Sequence, residues 1–278
     1  MPKPVFYKLL LRSTYITVGL FLLWLGLDAI LSGTVWAGMK VSKSALTVEY
    51  CEFNQVNRFF HQPINTYSNL AYVFLGILIS LLALEDSRNH DAPRLNRLER
   101  FPLLSAFTGL CFIYLGFGSA FFHASLTYAG QRMDMNGTYA VMIALIGLAL
   151  YHVLHGIQLT SVGKTLWVLV LLGIIGAFLQ LWLLIPSSRL LPALILSLTA
   201  LMVLNYFQFR RERSILFVIL SFALTIIALK IRTLDVQKVN CNPHSLIQGH
   251  AFWHIMTALS SFCSYSFFRF TGVINKKT

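Results

Sequence analysis

Eight apolar runs follow one another along this chain, each near the ~20 residues that a helix needs to cross a bilayer. They cover 14–38, 64–84, 102–126, 132–155, 164–185, 190–209, 214–233 and 246–268. Charged residues make up 12% of the chain, half the ~25% usual in a soluble protein, and the mean hydropathy is +0.68. The expected fold is therefore all-α, a polytopic transmembrane helical bundle embedded in a lipid bilayer. A net charge of +12 invites a nucleic-acid reading. The basic residues, however, lie in short clusters between apolar runs, with no basic domain carrying interleaved aromatics, which argues against such a partner. Lys3, Lys8 and Arg12 precede the first run as in a signal peptide. That run is long for one, and residues 32–38 offer only a weak cleavage site, so a retained helix is expected.

With the N-terminus in the cytoplasm, most of the 22 Lys and Arg residues fall on inner segments. They include Arg88, Arg94, Arg97, Arg100, Lys164, Arg210, Arg211, Arg213, Arg269, Lys276 and Lys277, the distribution that the positive-inside rule describes. Both termini are then cytoplasmic, in a bacterial inner membrane or an endomembrane. The outer ends of the helices hold the most unusual residues of the chain. His123 closes the third run, and His250 and His254 open the last, spaced so that both imidazoles leave one helix face a turn apart. Ser119 stands one turn before His123. Asp134 is the only acidic residue in the middle six runs.

Polar groups at such positions need partners. Three imidazoles, a hydroxyl and a carboxylate read as a catalytic zinc site with an open fourth position. There Asp134 is the candidate general base, and Ser119 a hydrogen-bond donor to a developing oxyanion or a holder of the water. A pair of histidines at this spacing also arises by chance. Haem ligation by two histidines leaves Ser119 and Asp134 without a role, and a retinal protein lacks a Schiff-base lysine in the last run. His61, His90, His152, His155 and His244 read as structural.

Glu49, Tyr50, Glu52, Asn54 and Gln62 form a polar stretch before the second run. Its carboxylates and amides can supply hard oxygen ligands to calcium, but a solvated outer loop is the better reading on residues alone. Asn65, Thr66, Ser68 and Asn69 follow at the start of the helix, where at least one is expected to cap free backbone donors. Cys111 and Cys263 sit within runs as small apolar residues. Cys51 and Cys241 fall in outer loops, either as a disulfide or as two free thiols.

These residues, taken in order, resemble the alkaline ceramidases, seven-helix zinc amidases of the CREST membrane hydrolase superfamily, to which the adiponectin and progestin receptor family also belongs. The resemblance rests on Tyr50-Cys51-Glu52 with Asn54, Asn65-Thr66 with Ser68-Asn69, Gly118-Ser119 with Phe122-His123, Gln131 with Asp134, and His250 with Trp253-His254. It implies a seven-helix ceramidase-like membrane domain over 46–270. Residues 1–45 would be an N-terminal basic segment with one extra N-terminal helix, and 271–278 a basic C-terminal tail. It further implies zinc on His123, His250 and His254, flanked by Ser119 and Asp134, and hydrolysis of the amide of a ceramide-like lipid to a sphingoid base and a fatty acid. A Cys51–Cys241 disulfide is implied, as is calcium on Glu49, the Tyr50 carbonyl, Glu52, Asn54 and Gln62. Glu49 stands where the family usually has Asp, and Gln62 where eukaryotic members have Glu, a lost charge that weakens calcium binding. An ester hydrolase or lipid-remodelling enzyme on the same site, and a non-catalytic receptor-like zinc protein, are the competing functions.

Overall fold

The computed structural model describes residues 3–88, 96–181 and 187–270. The tail at 271–278 and His90 lie outside the described residues. Helix α1 (Lys3–Ile30) is followed by the short α2 (Lys43–Leu46), then by α3 (Pro63–Ser68) and α4 (Leu70–Arg88). The remaining helices are α5 (Pro102–Ser125), α6 (Tyr128–Val153), α7 (Ser161–Leu181), α8 (Ser187–Gln208), α9 (Ile215–Val236) and α10 (Gly249–Arg269). Helix α1 begins well ahead of the expected 14–38. Lys8 and Arg12 are good helix formers that carry their charge on long stems, so basic residues do not delay the helix start.

Among the described residues, seven helical stretches are long and apolar enough to cross a membrane. Helix α10 matches the expected last run in place but falls short in hydropathy. Its buried face carries His250, His254, Ser260 and Ser264, polar residues that lower its hydropathy. Burial separates the bundle into a core and a lipid-facing rim. In α5 and α6 67% of the most apolar window is buried, against 17% in α1, α7 and α8. Leu, Ile and Val on the rim helices remain exposed, as they must where the solvent is hydrocarbon.

At the end of the bundle away from the histidines, Arg269 is almost fully buried between two carboxylates. Its guanidinium contacts Asp86 and Glu99, each at 2.5 Å, and so joins α4, the segment before α5, and α10. Arg97 donates to the carbonyls of Tyr151, His155 and Ile157 and satisfies the last turn of α6 and the residues beyond it. The outer end is closed differently. Leu126 turns the chain from α5 into α6 in a left-handed conformation (φ 52°), and Thr127 accepts from the Gly130 amide as the α6 cap. Cys51 and Cys241 form a disulfide with Cα atoms 5.7 Å apart, tying the loop before α3 to the loop before α10.

Candidate metal centre and its cavity

Ser119 and His123 belong to α5, and Asp134 to α6. The two helices meet closely because glycines stand at their contact. A Cβ on Gly118 would lie 3.0 Å from the Met133 carbonyl oxygen, and one on Gly137 2.7 Å from the Leu115 Cα. Small residues of this kind let helix backbones approach in a membrane. The approach brings Asp134 within hydrogen-bonding reach of Ser119. From the other side α10 presents His250 and His254, and all three imidazoles are buried. One ligand atom from each lies within 4.8 Å of the others, the single group of this kind among the described residues. Ring centroids are 4.9 Å apart for His123 and His250, 5.0 Å for His123 and His254, and 4.5 Å for His250 and His254.

Each ring is oriented by a partner outside the cluster. His123 Nδ1 lies 2.7 Å from Gln62 Oε1, and a carbonyl oxygen only accepts, so the proton is on Nδ1 and Nε2 is bare. That Nε2 is buried and has no hydrogen-bond partner. Ser68 spends its hydroxyl proton on the Asn65 carbonyl at 2.8 Å. It therefore accepts from His254 Nδ1 at 2.7 Å, leaving His254 Nε2 bare as well, 3.5 Å from Ser119 Oγ. His250 stacks on the Tyr50 ring with centroids 3.8 Å apart, and its buried Nδ1 has no partner. Buried nitrogens without partners are costly in any interior. Three buried imidazoles with their ligand atoms gathered this closely are a donor set that suits a metal ion such as zinc.

The outer loop carries the other candidate ligands, and each is already engaged by a protein group. Glu49 Oε1 is 3.2 Å from Arg232 Nη2. The Tyr50 carbonyl accepts from Lys238 Nζ. Both Glu52 oxygens accept backbone amides at the start of α3, from Ile64 and Asn65, each at 2.8 Å. Asn54 Oδ1 accepts from Gln62 Nε2 at 2.7 Å, while the other end of that amide faces His123. Burial lifts the Glu52 carboxyl to about 7, although the two amides pull it down. Desolvation also holds the Tyr50 phenol well above its ordinary value, so it stays protonated.

Glu52, rather than a residue of the helix itself, thus caps α3. Thr66, Ser68 and Asn69 instead donate back to carbonyls of Gln62 and Asn65. A side chain inside the first turn points toward the preceding turn and its carbonyls, away from the free amides. The outer end of α9 holds residues that the sequence did not single out. Asp235 Oδ2 accepts the Cys51 amide at 3.1 Å and Oδ1 the His250 amide at 3.2 Å, connecting loop, α9 and α10. No local pattern marks Asp235, whose partners lie 184 and 15 residues away. Gln62 was expected only as a calcium ligand, and its bond to His123 is likewise invisible without the fold.

A cavity of about 380 Å³ opens from Ser119, Asp134, His250 and His254 into the bundle. Its upper rim carries Tyr50, Arg232 and Trp253, and its walls are mostly apolar side chains of α5, α6 and α8. Hydroxyls of Ser221, Thr225, Ser260 and Ser264 line the side formed by α9 and α10 and bond to one another. Among the remaining histidines, His152 Nδ1 is 2.9 Å from the Leu148 carbonyl within α6, His155 meets the Phe209 ring edge-on, and His244 lies tilted against Phe53. His61 is buried in the loop, where desolvation lowers its pKa. None of them joins the cluster.

The model of the ceramidase family matches residues 42–278, which takes in every element from α2 onward and leaves α1 outside. No curated protein matches the chain.

Proposed function

The chain belongs to the ceramidase family, hydrolases acting on the amide bond of ceramide, and from that premise we propose that it is a zinc-dependent intramembrane amidase. His123, His250 and His254 would hold the ion, and residues 46–270 would form the catalytic domain. Bound there, zinc supplies Lewis acidity, polarising a carbonyl and lowering the pKa of water toward about 7. Asp134 takes the proton from the attacking water and returns it to the leaving amine of the sphingoid base. The Ser119 hydroxyl donates to the oxygen of the amide carbonyl as charge develops on it. Gln62 and Ser68 keep His123 and His254 in the tautomers that present Nε2. The apolar walls of the cavity, Leu115, Val141, Met142, Leu191, Ile195 and Leu198, take a lipid chain and exclude water from the amide.

Arg97, Arg100, Arg213 and Arg269 gather at the end of the bundle opposite the histidines, which supports a site toward the non-cytoplasmic face with the N-terminus inside. One observation carries the functional reading: three buried imidazoles gather their ligand atoms within 4.8 Å of one another, and two of them, His250 and His254, line a cavity together with Asp134 and Ser119. The test is release of fatty acid from ceramide by purified, zinc-loaded protein in detergent. Asp134→Asn is expected to lower the rate about 10²- to 10⁴-fold, the usual contribution of a general base, with zinc content unchanged. Wild-type turnover in that variant, or no cleavage of any N-acyl lipid by the zinc-loaded protein, refutes it.

A further inference from the structure

The loop between α2 and α3 carries the oxygen atoms that would serve a divalent cation, and α9 answers them with its own side chains. Arg232, Asp235 and Lys238 are spaced three residues apart at the outer end of α9 and just beyond it. Arg232 meets Glu49, Asp235 accepts the Cys51 amide, and the Lys238 ammonium meets the Tyr50 carbonyl. Lys238 can do this because the chain after α9 turns back. Its own φ is 58°, its amide bonds to the Asp235 carbonyl at 3.1 Å, and Asn240 repeats the left-handed conformation at φ 53°. Cys241 then pairs with Cys51, next in the chain to Tyr50, so the disulfide holds ammonium and carbonyl on the same side.

The remaining oxygens are turned away from any common centre. Glu52 caps α3 with both oxygens, and Asn54 and Gln62 are bonded to each other, with the Gln62 oxygen committed to His123. Glu49 and Glu52 do not come together with a third acidic, histidine or cysteine ligand. Among the described residues the histidine triad alone forms such a group. A calcium site needs six to eight oxygens around one ion, and in this loop Glu49, the Tyr50 carbonyl, Glu52, Asn54 and Gln62 each already have a protein partner. A positive charge is nevertheless supplied to it. Burial lowers the Lys238 pKa from its ordinary value, and the carboxylates of Asp235 and Glu49 offset part of that by favouring the ammonium.

We propose that the Lys238 ammonium is a built-in cation that takes the place of calcium in securing the loop over the metal centre, so that this protein folds and works without calcium. The lysine tethers the Tyr50 carbonyl, and through it the ring that stacks on His250. Asn54 and a neutral Gln62 close the rest of the site by an amide–amide bond that needs no ion.

The test titrates calcium into zinc-loaded, detergent-solubilised protein by calorimetry, up to about 1 mM, the range of weak protein sites, and follows the unfolding midpoint in parallel. Neither readout depends on turnover, so the outcome stands apart from that of the lipid hydrolysis assay. Wild type is expected to give no saturable heat and no calcium-dependent rise in midpoint. Lys238→Gln removes the cation and should lower the midpoint. Combined with Gln62→Glu it frees the carbonyl and restores a carboxylate, and should gain saturable calcium binding that raises the midpoint again. Stoichiometric calcium binding by wild type, accompanied by a higher midpoint, overturns the proposal. So does a Lys238→Gln protein as stable as wild type. If the variants fail to fold, the wild-type titration alone still decides.

Discussion

Replacing Gln62 by leucine tests whether the protein sets the tautomer of His123, on which its use as a ligand depends. Gln62 is 2% exposed, and its Oε1 receives the His123 Nδ1 proton at 2.7 Å. Leucine keeps roughly the volume but offers no acceptor. The buried N–H is then left unpaired, a cost of about 1–3 kcal/mol. The ring recovers that cost by moving its proton or rotating, and either change withdraws the Nε2 lone pair from the cluster. Loss of such an outer partner typically weakens metal binding about 10- to 100-fold, or about 1.4–2.8 kcal/mol at 1.4 kcal/mol per decade. The assay is competition for zinc against a fluorescent chelator, with helix content and monodispersity checked in the same preparation. Gln62→Glu keeps an acceptor and adds negative charge, so its zinc affinity should equal or exceed that of wild type. A folded Gln62→Leu protein that holds zinc as tightly as wild type refutes the reasoning.

Arg269→Met leaves Asp86 and Glu99 buried without their cation and should lower stability by about 3–5 kcal/mol. Because this site lies at the opposite end of the bundle, the zinc content of the molecules that remain folded should not change. Thermal unfolding with metal analysis of the soluble fraction checks both statements. Asp28 reaches from α1 to Arg58 and, at 3.0 Å, to the Phe60 amide just before Gln62. Asp28→Ala orphans that buried amide at a cost of about 1–3 kcal/mol, whereas Asp28→Asn keeps an acceptor for it and loses only a pair whose arginine is half exposed. The unfolding midpoint should therefore fall further for alanine than for asparagine, and equal losses would mean the amide bond contributes nothing.

Much of the site was legible because its chemistry is unusual for its surroundings. His123, His250, His254 and Asp134 are polar residues in apolar runs, and a bilayer tolerates such residues only with partners. Position within the runs placed all four at one membrane depth. The partners were harder to read. Ser68 looked like an ordinary residue of a helix start and Gln62 like a loop ligand for calcium, yet one orients His254 and the other His123. Asp235 and Lys238 gave no signal at all, since a charged residue at the end of an apolar helix is unremarked wherever it occurs. The expected capping of α3 by its own residues failed because Glu52, eleven positions before Pro63, reaches the free amides first.

The sequence by itself determined that this is a helical membrane protein, where its long helices lie, and which imidazoles, carboxylate and hydroxyl stand out as candidates for its chemistry. Those facts depend on composition and on spacing along one chain, where hydrophobic length and helical period act locally. Only the tertiary structure decided what surrounds them. It set the tautomers of His123 and His254, closed the Cys51–Cys241 bridge over a separation of 190 residues, and gave the loop oxygens to protein donors. Hydrogen bonds act over about 3 Å, so their partners are fixed by how helices pack and cannot be read from distance along the chain.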